Sequence, residues 1–62
     1  MNTRITFELK EHEIVYDIIM EAGGEPSDFI TDDCVELGDD EDYIESVINA
    51  LNSANVKYEK IQ

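Results

Sequence analysis

The sequence predicts an α+β protein, a small two-layer α/β sandwich in which two helices lie on one face of an antiparallel sheet. Three observations predict it: segments of alternating polarity stand at both ends of the chain, two segments of helical periodicity lie between them, and a short β-rich stretch separates the helices. The resulting order, β-α-β(-β)-α-β, is that of the ferredoxin-like, or split βαβ, arrangement. Sixty-two residues are enough for a single acidic domain, 1–62, near the lower size limit for folding without disulfides or metals.

Residues 3–10, TRITFELK, predict the first strand. Ile5, Phe7 and Leu9 alternate with polar residues, as in a strand that has one buried side and one side in solvent. We expect this strand to continue to Lys10.

Residues 11–22 predict the first helix. Its apolar residues recur at helical spacing along one stripe, made of Ile14, Val15, Ile18, Ile19 and Ala22. Gly23 and Gly24 allow the positive φ of a helix end, and Pro26 prevents the helix from resuming.

The segment between the helices is the least regular. Residues 29–31 and 34–37 can form two short strands joined by a turn at Asp32 and Asp33. The alternative is one irregular strand with an acidic loop, because an Asp pair is a weaker hairpin signal than Asn-Gly.

Residues 40–54 predict the second helix. Asp39 or Asp40 is expected at its N-cap, and Asn55 can adopt the left-handed conformation that ends a helix. The predicted buried stripe consists of Ile44, Val47, Ile48, Leu51 and Ala54.

Residues 56–61, VKYEKI, alternate again and predict the last strand, with Val56 and Tyr58 facing inward. In the split βαβ arrangement this strand lies beside the first strand.

Charge is the most distinctive feature of the chain. Sixteen acids and four bases give a net charge of −12. Residues 11–56 contain fourteen acids and no lysine or arginine, so we expect one strongly negative region. Such a surface opposes binding to nucleic acid and to anionic lipid. The bases all lie near the ends, at Arg4, Lys10, Lys57 and Lys60.

No metal, cofactor or catalytic site is expected. Placing Gly38 at the sixth position of an EF-hand loop puts Val35 and Leu37 where oxygen ligands are required. One Cys and one His cannot build a zinc cluster. We expect His12 to be exposed beside acidic neighbours, and Cys34 to be a small buried hydrophobe.

The N-terminus shows no signal peptide, and no apolar run approaches the roughly 20 residues that span a bilayer. These features predict a cytoplasmic protein, in the host cytoplasm if the chain is viral.

The charge pattern suggests a function. Glu13, Asp17 and Glu21 recur every fourth residue, which spaces carboxylates about 6 Å apart along a helix axis. Regularly spaced negative charge on a rigid scaffold can occupy a groove shaped for the phosphates of a nucleic acid. The sequence therefore favours a non-enzymatic inhibitor that binds the basic surface of a nucleic-acid-binding enzyme, in the manner of viral proteins that block restriction or CRISPR machinery.

The candidate partner-binding residues are acids of the first helix, the middle segment and the second helix, with two tyrosines at the borders of the apolar stripes. For the tyrosines, packing at the edge of the core is the favoured interpretation and contact with a partner the alternative. The candidates are Glu13, Asp17, Glu21, Asp32, Asp33, Glu36, Asp39, Asp40, Glu41, Asp42, Glu45, Tyr16 and Tyr43.

Three rival explanations stand beside mimicry. The charge can serve solubility alone, or adaptation to high salt, which the isoleucine and lysine content makes less attractive. The third rival is a protein-protein interaction or regulatory module, including a homodimer that joins sheet edges or open sheet faces.

Overall fold

The computed structural model describes residues 2–61. Two helices and a four-stranded antiparallel sheet form an α+β fold, and two short 3₁₀ helices precede α1 and β2. The elements, in chain order, are β1 (Thr3–Phe7), the 3₁₀ helix Leu9–Glu11, α1 (His12–Glu21), the 3₁₀ helix Pro26–Asp28, β2 (Phe29–Thr31), β3 (Cys34–Gly38), α2 (Glu41–Ser53) and β4 (Tyr58–Ile61).

The strand order in the sheet is β2-β3-β1-β4. β1 pairs antiparallel with both β3 and β4, so the first and last strands are neighbours, as predicted. The middle segment forms two strands, and residues 32–33 make the turn between them. The alternative of one irregular strand is therefore wrong. Assignment to the ferredoxin-like class within this architecture stays a prediction.

One hydrophobic core lies between the sheet and the helices. Alternate residues of β1 and β3 are buried on the same side of the sheet and meet the buried stripes of both helices, so both helices lie on one face. The core residues are Ile5, Phe7, Val15, Ile19, Val35, Leu37, Val47, Leu51 and Val56.

Three residues expected in the core lie outside it. β1 ends at Phe7, whose N–H donates to the Asp33 carbonyl (3.0 Å), and the chain then tightens into a 3₁₀ turn. That turn leaves Leu9 64% exposed. Ile14 is 43% exposed because the stripe of α1 that faces the sheet centres on Val15 and Ile19. Ala54 is exposed because it is the C-cap of α2.

Both helices end in the Schellman pattern, in which a residue beyond the helix donates to a carbonyl five residues back. Gly24 N–H donates to the Ile19 carbonyl (2.8 Å), and Val56 N–H donates to the Leu51 carbonyl (3.0 Å). The required positive φ falls at Gly23 (101°) and at Asn55 (58°). The predicted helix ends are confirmed, and Val56 is buried with Tyr58 half-buried, as expected. The last strand begins at Tyr58 and not at residue 56, because the Val56 N–H is taken up by the bond that closes α2.

Candidate acidic binding surface

The acid row of α1 lies in solvent. Glu13, Asp17 and Glu21 are all exposed, while Val15 and Ile19 on the same helix are buried. Because the helix rises 1.5 Å per residue, the row extends about 12 Å along its axis. The α1 row is therefore an exposed row of carboxylates on a helix whose opposite side packs in the core.

The acids of α2 gather at its beginning. Asp40 is the N-cap: its Oδ1 accepts hydrogen bonds from the N–H groups of Asp42 (3.0 Å) and Tyr43 (3.3 Å). Negative charge in this position also complements the helix dipole. Beyond Glu45, the exposed residues of α2 are uncharged, being Ser46, Asn49, Asn52 and Ser53. The charge of α2 is thus concentrated at one end.

Packing brings this end of α2 beside the end of α1. The Tyr43 hydroxyl lies so close to Gly24 that a side chain there would overlap it. Asp28 lies near enough that its charge affects the pKa of Tyr43. We call the acids at these two neighbouring helix ends the acidic end: Glu21, Glu25, Asp28, Asp39, Asp40, Glu41 and Asp42.

Glu25 and Asp28 were not among the sequence candidates. They belong to the 3₁₀ helix after α1, where the Glu25 N–H donates to Asp28 Oδ2 (3.0 Å). The local signal was an acid on each side of Pro26-Ser27, a pattern typical of a capped turn. What the sequence could not show is that this turn lies against the start of α2.

Tyr43 packs against the core, in line with the favoured interpretation. Its hydroxyl oxygen is buried and has no hydrogen-bond partner among residues 2–61. Burial, and to a smaller extent the negative charge of Asp28, raises the pKa of Tyr43 above its ordinary value.

Tyr16 joins an aromatic cluster that the sequence analysis missed. The Phe29 ring lies 5.5 Å from the Tyr16 ring and 5.3 Å from the His12 ring, and it meets Phe7 edge to face at 6.4 Å. His12 is half-buried, and its Nδ1–H donates to the Asp32 carbonyl (2.8 Å). The expectation of an exposed His12 is therefore wrong. The ring is half-buried because it packs against Phe29 and hydrogen-bonds the backbone of the β2–β3 turn.

Asp32 and Asp33 lie away from the acidic end. They form the β2–β3 turn beside the start of α1, whereas Asp39 follows the far end of β3. At roughly 3.3 Å per residue, about 15–20 Å of strand separates the two groups.

Glu36 faces away from the helices. It stands opposite Arg4 in the sheet, and Arg4 Nε lies 3.5 Å from Glu36 Oε1. A carboxylate that shares this face with a base does not extend the acidic surface. Cys34 lies on the same open face and is half-buried, not buried as expected.

The other candidate carboxylates make no ion pair in the described part of the chain. The two ion pairs found there are Arg4–Glu36 and Lys10–Glu8, each at 3.5 Å. Both lie on or next to β1, so the α1 row and the acidic end keep their charge uncompensated by any base within 4.0 Å.

Within residues 2–61, no three His, Cys, Asp or Glu side chains are grouped so that they could hold a metal ion. None of the helices described is long and apolar enough to cross a membrane.

Comparison of the chain with protein-family models, with curated proteins and with solved structures gave no match. The fold and the charge geometry therefore carry the functional argument.

Proposed function

We propose that the protein is a small, non-enzymatic inhibitor that binds a basic, nucleic-acid-binding groove of another protein and so excludes the nucleic acid. The observation that carries this proposal is the charge of the α1 row and the acidic end, which has no base within 4.0 Å in residues 2–61. The partner class includes nucleases and restriction or CRISPR effectors, all of which bind polyphosphate through lysine and arginine.

The position of the charge favours binding over simple solubility. A charge that serves only solubility can be interspersed with bases, yet the acids of the helical layer have no base within ion-pair distance in residues 2–61. Clustered charge of one sign steers encounter with an opposite surface and weakens as salt screens it.

The test is capture by the immobilised protein at about 0.1 M and at about 1 M salt, where the Debye length falls from about 10 Å to about 3 Å. We expect a basic nucleic-acid-binding protein to be captured at low salt, released at high salt and displaced by competing duplex. Capture that survives high salt would contradict mimicry.

A pair of charge-matched variants locates the binding surface. Changing Asp39, Asp40 and Asp42 to Asn removes three charges from the acidic end, and Asn at position 40 still caps the helix. Changing Glu8, Glu36 and Glu59 to Gln removes three charges from the sheet side. We expect the first variant to lose capture and the second to keep it. Equal effects would refute a specific acidic surface.

A second candidate function, a homodimeric interaction module, rests on exposed apolar residues of the sheet. Ile61 lies beside Arg4 on the open face and is 47% exposed, and Ile30 in the edge strand β2 is 48% exposed. Sedimentation analysis tests it directly, since a dimer through this face would persist at high salt.

A further inference from the structure

A groove of about 410 Å³ lies between the start of β1, the edge strand β4 and the first half of α2. Three carboxylates line it, from Asp39, Glu41 and Glu45. Two isoleucines, Ile44 and Ile48, give it an apolar wall. We call it the α2 groove.

The local structure explains why these residues meet. Glu41, Ile44, Glu45 and Ile48 are spaced i, i+3, i+4 and i+7, so they share one face of α2. Gly38 pairs with Thr3 in the sheet and has a φ of +80°, which turns the chain so that Asp39 arrives beside the start of β1.

Thr3 provides a second, independent observation. It is a polar residue only 5% exposed, it lines the groove, and its hydroxyl makes no hydrogen bond to any residue in the range 2–61. The Thr3 hydroxyl oxygen is itself not fully buried, since the Tyr43 hydroxyl is the one fully buried side-chain polar atom without a partner in residues 2–61. The hydroxyl is thus available to a polar group that enters the groove.

The arrangement of the carboxylates limits which kind of polar group can bind in the groove. The carboxylates share a groove, yet no three acids of the described residues are grouped closely enough to hold a metal ion. A cation that pairs with more than one of these carboxylates must therefore extend across the groove. A guanidinium group has five N–H donors in one plane, and the methylene stem of arginine suits an apolar wall.

We propose that the α2 groove binds an arginine side chain of the partner protein, with the guanidinium donating to carboxylates of Asp39, Glu41 or Glu45 and the stem lying against Ile44 and Ile48. This inference rests on the proposed function, since it names the anchor through which a basic groove would engage the acidic surface.

Lys60 provides a direct test of the proposal. It also lines the groove, but it makes no ion pair in the part of the chain that the structure describes. Its charge opposes an incoming guanidinium. Lys60→Gln should therefore strengthen arginine binding more than Lys57→Gln, because Lys57 carries the same charge but does not line this groove.

The experiment is an NMR titration of the full chain with a capped Gly-Arg-Gly peptide, compared with Gly-Lys-Gly. We expect saturable shifts at Thr3, Ile44 and Ile48, and weaker binding of the lysine peptide. The variant E41Q/E45Q should weaken binding about tenfold or more, the size of a lost charge-assisted hydrogen bond. The control E13Q/D17Q removes equal charge from the α1 row and should change it less than about twofold.

Shifts spread over the molecule, equal losses in the two double variants, or equal gains for Lys60→Gln and Lys57→Gln would each overturn the proposal. Failure here is separable from failure of the proposed function. If the peptide avoids the groove while salt-sensitive capture still depends on Asp39, Asp40 and Asp42, only the arginine site is wrong. If the peptide binds as described but no nucleic-acid-binding partner is captured, the arginine site stands and mimicry fails.

Discussion

Replacing Tyr43 with Phe should stabilise the protein. The Tyr43 hydroxyl oxygen is buried without a hydrogen-bond partner among residues 2–61, while the ring packs against the core. Leaving a buried polar group unpaired costs about 1–3 kcal/mol, and removing the hydroxyl recovers that cost less a few lost dispersion contacts. We expect the free energy of unfolding to rise by about 1 kcal/mol, or about 4–8 °C in Tm for a domain of this size.

Urea unfolding followed by circular dichroism measures this change, with an unchanged m value showing that the variant alters stability alone. Tyr58→Phe is the matched control. The Tyr58 hydroxyl donates to Asn52 Oδ1 (3.3 Å), so its removal should destabilise by about 0.5–1 kcal/mol. If Tyr43→Phe destabilises as much as Tyr58→Phe, the Tyr43 hydroxyl is hydrogen-bonded in solution and the reasoning is wrong.

The same hydroxyl predicts a pH dependence. Burial first, and the charge of Asp28 second, raise the pKa of Tyr43 above the value of 10.0 that applies to the unfolded chain. Below pH 10, Tyr43 is protonated in both the folded and the unfolded state, so the stability that depends on its protonated form is fully present. As pH rises above 10, the unfolded state loses its proton first, so stability falls until the folded pKa is passed. The stability gap between Tyr43→Phe and the parent should therefore widen above pH 10, and a constant gap would contradict the assignment.

Four further perturbations follow from the structure. Asp40→Ala should cost about 1 kcal/mol of unfolding free energy through loss of the N-cap, while Asp40→Asn should be nearly neutral; equal costs would show that charge, not capping, matters. Gly24→Ala should lower the free energy of unfolding by about 1–3 kcal/mol in the same urea assay, because the added carbon overlaps Ile19 and the Tyr43 hydroxyl. An unchanged free energy would show that these two side chains can move aside at little cost. His12→Ala should cost about 1–2 kcal/mol through the lost bond to Asp32 and the lost ring contacts; a change below about 0.5 kcal/mol would make the contact incidental. Raising ionic strength from about 0.01 to about 0.15 M should raise Tm by screening the charge of −12, and a flat response would show that self-repulsion is negligible.

Local patterns predicted most of the fold. The helix ends at Gly23 and Asn55 and the cap at Asp40 followed from short-range rules, because each depends on a few neighbouring backbone groups. The error at Leu9 arose because the alternation continued past the point at which the chain turned, whereas Ile14 was assigned to a stripe whose buried part centres on Val15 and Ile19. Periodicity reports which residues share a side of an element, not where that element stops.

The candidate surface was predicted less completely. The α1 row followed from four-residue spacing, since that spacing is a property of any helix. Contacts between distant parts of the chain decided the remaining members. Glu36 is not part of the acidic surface because it pairs with Arg4. Asp28 is part of it because it lies near Tyr43.

The sequence by itself determined the element types, the helix caps and the excess of negative charge, because these depend on neighbours along the chain. The tertiary structure alone decided which acids share a surface, placed Thr3 beside Asp39 to form the α2 groove, and left the Tyr43 hydroxyl buried. Those features arise from strand pairing and helix packing, which join residues that no local pattern connects.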